Sequence, residues 1–152
     1  MFSFKRYYQT LHEGGYSSLL TQDTVITPDV ILTVLPKIEK FIQQFNAYAQ
    51  QKQLPGVRLG TPLGSAAHYQ TDKSDTVYGD IDMQIVVPDA QQLSPSALQT
   101  IWIKQFDAFI DDVKPAGIVK GTPGHPLFNI GPDKYVQVDL MIQPEELSLI
   151  HI

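Results

Sequence analysis

Between Gly79 and Pro88 the chain reads Asp80-Ile81-Asp82-Met83-Gln84-Ile85-Val86-Val87, and this stretch limits the possible folds more than any other. Side chains of a strand alternate faces with period two. Asp80 and Asp82 therefore share one face, while Ile81, Met83, Ile85 and Val87 share the other. A strand of this pattern packs its apolar face on a core and turns two acids toward a common point. Like charges side by side repel, so a cation is their natural partner. A second strand is expected over Tyr135-Val136-Gln137-Val138-Asp139-Leu140-Met141-Ile142, where Asp139 repeats the pattern with Val138 and Leu140 on the opposite face. Upstream, Leu63-Gly64-Ser65 reads as a tight turn.

The rest of the chain supplies helices. Thr27-Pro28-Asp29 is a helix start, with a hydroxyl cap, proline at the first helical position and an acid in the first turn. Val30, Val34, Ile38, Phe41, Ile42, Phe45, Tyr48 and Ala49 follow at spacings of three and four. Pro36 is expected to kink or split this helix near Thr33, which ends by Gln53 before Pro55-Gly56. Ser94-Pro95 opens a second helix with Leu98, Ile101, Trp102, Gln105, Phe106, Phe109 and Ile110 on one face, ending near Asp112. Short strands are expected over Val57–Leu59, Ala116–Lys120 and Leu127–Ile130, with a helical turn over Ala66–Gln70 and a polar loop over Thr71–Gly79.

A chain of 152 residues, 43% hydrophobic and 18% charged, is long enough for one domain with a core. No apolar run reaches bilayer length, and Met1–Tyr8 lacks the basic-then-apolar pattern of a signal peptide. The absence of cysteine excludes a disulfide framework and a thiolate zinc site, and fits a cytoplasmic location. With a net charge of −5 and lysines scattered rather than in a run, there is no basic track for duplex nucleic acid.

Gly64-Ser65, the Asp80-Ile81-Asp82 pair and the late Asp139 together resemble the polymerase-beta-like nucleotidyltransferase superfamily. The resemblance spans Val57 to Ile142, with Gly64 to Val87 its specific part. The Ser65-to-Asp80 interval is longer than usual in that family, which implies an inserted loop within Ala66–Tyr78. The implied fold is α+β: a palm-like domain in which a short mixed sheet carries three aspartates and packs on helices. The implied organisation is an N-terminal arm over 1–26, a catalytic domain over 27–146 and a tail over 147–152. Leu147–Ile152 resembles translated sequencing-adapter read-through, an ordinary short strand or tail being the alternative. A chain cut at that point is expected to lack the acceptor-binding helices that follow the third Asp in the family.

The resemblance implies transfer of a nucleotide from a nucleoside triphosphate such as ATP to an acceptor, with release of pyrophosphate. Asp80, Asp82 and Asp139 would be the catalytic and metal-binding residues, holding two Mg2+ ions, with Mn2+ as the alternative ion. Asp139 would also be the general base. Gly64 and Ser65 would bind the triphosphate. The acceptor would be an RNA end, a protein or a small molecule. The rival expectation is a catalytically inactive member of this fold that serves as a binding or assembly module. Each residue also has a plainer reading: Asp80 as a turn residue, Asp139 as a solvent-facing edge position, Gly64-Ser65 as an ordinary turn. His68 and Tyr69 read as surface or packing residues, Arg58 and Lys73 as solvated cations, His125 as a turn residue, and Trp102 as core.

Overall fold

A computed structural model describes residues 24–88 and 93–145. Most of the expected N-terminal arm and the whole 147–152 tail lie outside the described residues. Among the described residues the protein is α+β, with two helices packed on two three-stranded sheets.

Helix α1 (Pro28–Gln51) starts where the sequence indicates, the Thr27 hydroxyl accepting from the Val30 amide. It runs without interruption through Pro36, so the expected split near Thr33 is not found. The proline removes the amide that would have bonded the Leu32 carbonyl. Pro36 and Leu32 both lie on the solvent side, where water can serve that carbonyl. Ile31, Val34, Ile38, Phe41, Ile42 and Phe45 line the opposite, buried face.

Strand β1 (Arg58–Leu63) leads into a short 3-10 turn over Gly64–His68. Strand β2 (Asp82–Val87) pairs with β1 in antiparallel fashion. Helix α2 (Pro95–Val113), capped by the Ser94 hydroxyl, then crosses to a small antiparallel sheet. That sheet comprises β3 (Ile118–Val119), β4 (Leu127–Gly131) and β5 (Lys134–Gln137). The last strand, β6 (Asp139–Pro144), returns to the first sheet and pairs with β2 in parallel. The first sheet is therefore mixed, in the order β1-β2-β6.

Two expectations about strands need correction. The strand expected from Tyr135 to Ile142 is two strands in two sheets, and the chain changes sheet at Val138. Val138 has no exposed surface, and its amide goes to the Pro126 carbonyl (3.0 Å) rather than into either ladder. The strand expected from Asp80 begins at Asp82, and beyond it Gln84 and Val86 are buried as well as Met83, Ile85 and Val87. Burial on both faces is the usual lot of a strand with a neighbour on either side and helices packed on the sheet.

Aromatic rings form the centre of the core. Phe45 stacks on Phe106 with centroids 4.0 Å apart, and Phe41 meets Phe106, Phe109 and Phe128 at 5.4–5.7 Å. Trp102 is buried among them, as its helix position predicts. Side-chain amides tie the backbone at two places outside the ladders. Asn46 bonds both the amide and the carbonyl of Val57 (2.8 and 2.9 Å). Gln99 donates to the Leu140 carbonyl (2.8 Å) and accepts from the Ile142 amide (2.9 Å), so α2 covers the open edge of β6.

Candidate metal centre

Asp82 and Asp139 are each the first residue of a strand, and the parallel pairing of β2 with β6 sets them opposite one another. Asp80 lies two residues before Asp82, with the fully buried Ile81 between them as an anchor. Carboxylate oxygens of the three residues all lie within 4.8 Å of one another; Asp80 is exposed and the other two are half-buried. The β2–β6 register and the approach through buried Ile81 thus bring together all three acids singled out in the sequence.

Gly64 borders the same spot. Its φ of +66° is in the left-handed region, where glycine is at ease and an L residue is strained. A Cβ built on it would lie 3.6 Å from Asp82 Oδ2. Ser65 follows it, exposed, on the 3-10 turn. The long interval after Ser65 folds back on itself: the Thr71 and Asp72 amides bond the His68 carbonyl, and the Thr76 amide bonds that of Lys73. Tyr78 closes it, its hydroxyl donating to Asp72 Oδ2 (2.8 Å) and its amide to the Ile26 carbonyl (2.8 Å). Asp80 emerges directly from this closure. Beside it lies a cavity of about 170 Å³ lined by Thr24, Ile26, Gly79, Asp80, Val136 and Gln137.

The electrostatics follow from crowding. The Asp82 carboxyl is pushed above the usual carboxylate range by burial first, then by the charges of Asp80 and Asp139 and by a hydrogen bond with Asp139; His125 opposes the shift. Two unit charges at this separation repel by roughly 3–4 kcal/mol at an effective dielectric of about 20. All the donors are hard oxygens, the type that Mg2+ and Mn2+ take.

Two neighbours of the cluster were not singled out in the sequence. His125 Nδ1 hydrogen-bonds Asp139 Oδ1, and Gln137 Nε2 donates to the same oxygen (2.9 Å). His125 is therefore more than the turn residue its Gly-His-Pro setting suggests. Gln137, two positions before Asp139, carries the same-face spacing that marks Asp80 and Asp82, and that spacing could have drawn attention to it. Nothing local in the sequence marks His125, because its contact depends on how the 121–126 turn folds against β6.

The remaining candidates stay outside the cluster. His68 and Lys73 are exposed. Arg58 pairs with Glu145 at the surface (3.4 Å). Tyr69, half-buried, lines a separate apolar groove of about 360 Å³ with Leu32, Leu35 and Leu59. Among the described residues no helix is long and apolar enough to cross a membrane.

No protein-family model matches the chain, and no curated protein matches it. Among solved structures, the chain is similar to a crystal structure of Leishmania infantum polymerase beta in a ternary P/T complex, at 16% identity and a TM-score of 0.45. The alignment covers 95% of this chain and 56% of that one. This chain thus corresponds to little more than half of that protein's length, and a likeness at that TM-score leaves activity to be argued from the site itself.

Proposed function

We propose that the chain is a divalent-cation-dependent nucleotidyltransferase. It moves a nucleoside monophosphate from a nucleoside triphosphate to an acceptor hydroxyl and releases pyrophosphate. The observation that carries this reading is the convergence of Asp80, Asp82 and Asp139 within 4.8 Å, beside the left-handed Gly64 turn. Three carboxylates so close repel one another, and the all-oxygen donor set fits Mg2+, with Mn2+ as a substitute. When bound, a pair of such ions supplies positive charge for the attacking and leaving oxygens of an in-line displacement.

The protein's own residues hold and position. Asp80, Asp82 and Asp139 would together hold the ions. Asp139 is also the base that takes the proton of the acceptor hydroxyl, through the oxygen that faces neither His125 nor Gln137. Gly64, without a side chain, leaves room for the triphosphate to approach the backbone, and Ser65 offers its hydroxyl to a phosphate oxygen. In such chemistry the reactivity resides in the triphosphate, and positioning and charge screening are the protein's share. The acceptor is an RNA end, a protein side chain or a small molecule.

The test is calorimetric titration of ATP and the other nucleoside triphosphates into the chain, with Mg2+ and with EDTA, alongside Asp82→Ala. Binding that needs Mg2+ and disappears in the variant is the expected result. No binding at millimolar triphosphate, or binding indifferent to Asp82, would overturn the reading.

A further inference from the structure

We propose that His125 is a positioning residue for Asp139, and that the Gly121–Pro126 turn is built to deliver it. The inference rests on the reading of Asp80, Asp82 and Asp139 as a cation site. His125 Nδ1 and Gln137 Nε2 both address Asp139 Oδ1. An aspartate carboxylate has a broad, roughly two-fold torsion about its last bond. Two donors on one oxygen fix that torsion and so fix the direction of the other oxygen. In the tautomer that makes this bond to an ionised carboxylate, Nδ1 carries the hydrogen, because a carboxylate without its proton only accepts.

The backbone makes the pairing obligatory. The amides on either side of Asp139 bond the carbonyls on either side of His125: Val138 to Pro126 (3.0 Å) and Leu140 to Gly124 (2.9 Å). The Asp139 amide bonds the Ile81 carbonyl (2.8 Å), so three consecutive amides are tied down. The turn itself is closed by the His125 amide on the Thr122 carbonyl (2.9 Å). Gly124 at φ +83° lies against α2, where an added Cβ would approach Ile103 Cδ1 to 3.0 Å. The imidazole is therefore presented by a packed turn with its backbone fixed on three sides. Partners that orient a ligating group commonly matter to metal affinity almost as much as the ligand does.

The experiment is titration of the full chain with Mn2+ alone, following the free-ion signal by electron paramagnetic resonance. The proteins compared are wild type, Asp82→Ala, His125→Ala and His125→Asn. The asparagine amide nitrogen falls where Nδ1 was, and no atom replaces Nε2. His125→Ala is expected to weaken Mn2+ binding by about 10–100-fold, and His125→Asn to restore it to within about threefold of wild type. If His125→Ala does not fold, His125→Gln, whose amide falls nearer the Nε2 position, is the second loss-of-contact variant. Wild-type affinity in His125→Ala or His125→Gln overturns the proposal. So does an asparagine variant as weak as the alanine one, which would make the imidazole a ligand in its own right. Loss in Asp82→Ala with no loss at His125 leaves the cation site standing. No binding by wild type, or none lost in Asp82→Ala, removes the cation site and the proposal with it.

Discussion

Asp82 and Asp139 stand opposite each other at the head of the parallel pair β2–β6, their carboxylates within 4.8 Å and both half-deprived of water. A parallel ladder could have placed any two residues there, and an apolar pair would have been the stabilising choice. The energetic consequence has a definite sign. Because the folded state holds the Asp82 proton more tightly than the unfolded chain does, folding binds extra protons between the ordinary carboxylate pKa and the raised one. Stability is therefore lost as pH rises through that window.

The first prediction follows. In EDTA, Asp82→Asn melts higher than wild type at pH 7, by a few degrees, since a domain of this size shifts about 2–4 °C per kcal/mol. The difference narrows as pH falls toward 4, into the ordinary carboxylate range, where the wild-type carboxyl takes up its proton in the unfolded state as well. Under the function proposed above, Mg2+ raises the wild-type melting temperature and leaves that of the variant unchanged. Differential scanning fluorimetry from pH 4 to 8, with and without Mg2+, measures all three.

Tyr78 closes the loop that delivers Asp80. Removing its hydroxyl with Tyr78→Phe strips the bond to Asp72, an interaction with a charged acceptor in the range of about 1–3 kcal/mol. Burial, with the Asp72 bond and charge behind it, pushes the Tyr78 phenol up to about 12. The wild type therefore keeps this contribution below pH 10 and loses it as pH rises toward 12, and the variant shows no such loss. Urea denaturation at pH 8 and pH 11 checks the sign. Hydrogen exchange is expected to quicken over residues 69–80 in the variant.

Gln99 acts as a surrogate strand for the outer edge of β6. Gln99→Ala frees one amide and one carbonyl and is expected to cost about 1–3 kcal/mol in denaturant melts. Gln99→Glu keeps the shape but cannot donate to the Leu140 carbonyl, and it should rescue little. An uncovered edge also invites strand-to-strand association, so light scattering on heating should rise earlier in both variants.

The helix interface offers a calibration. Phe45→Ala empties the centre of the aromatic cluster and should cost about 3–5 kcal/mol, against total stabilities of about 5–15 kcal/mol for ordinary domains. Tyr48→Phe, on the same helix, loses only a surface bond to Asp112 (2.8 Å) and should cost about 1 kcal/mol or less.

What could be read from the sequence depended on how local its cause was. Thr27 and Ser94 declare their helices because a cap is a matter of three residues. The Asp80–Ile81–Asp82 alternation gave the right neighbours although the strand starts only at Asp82, because the buried Ile81 between them holds the extended backbone in place. The split at Pro36 did not follow because its penalty depends on what surrounds the carbonyl four residues earlier, and the exposure of Leu32 is a tertiary fact. The break at Val138 was hidden for a similar reason. An apolar residue between two β-prone segments looks continuous until two sheets compete for its amide. His125 lay furthest from view, since its partner is defined by the fold of a turn against a strand in another part of the chain.

The change of sheet at Val138 also determines when the carboxylate cluster exists. Gln137 ends one sheet and Asp139 begins the other, while Asp82 belongs wholly to the second. A chain with only the β3-β4-β5 unit formed has His125 and Gln137 without Asp80 and Asp82 beside them. A chain with β1 and β2 formed, but β6 not yet laid down, has Asp80 and Asp82 without the third. Under the function proposed above, cation affinity would report completed assembly, and a partly folded molecule would be an unloaded one.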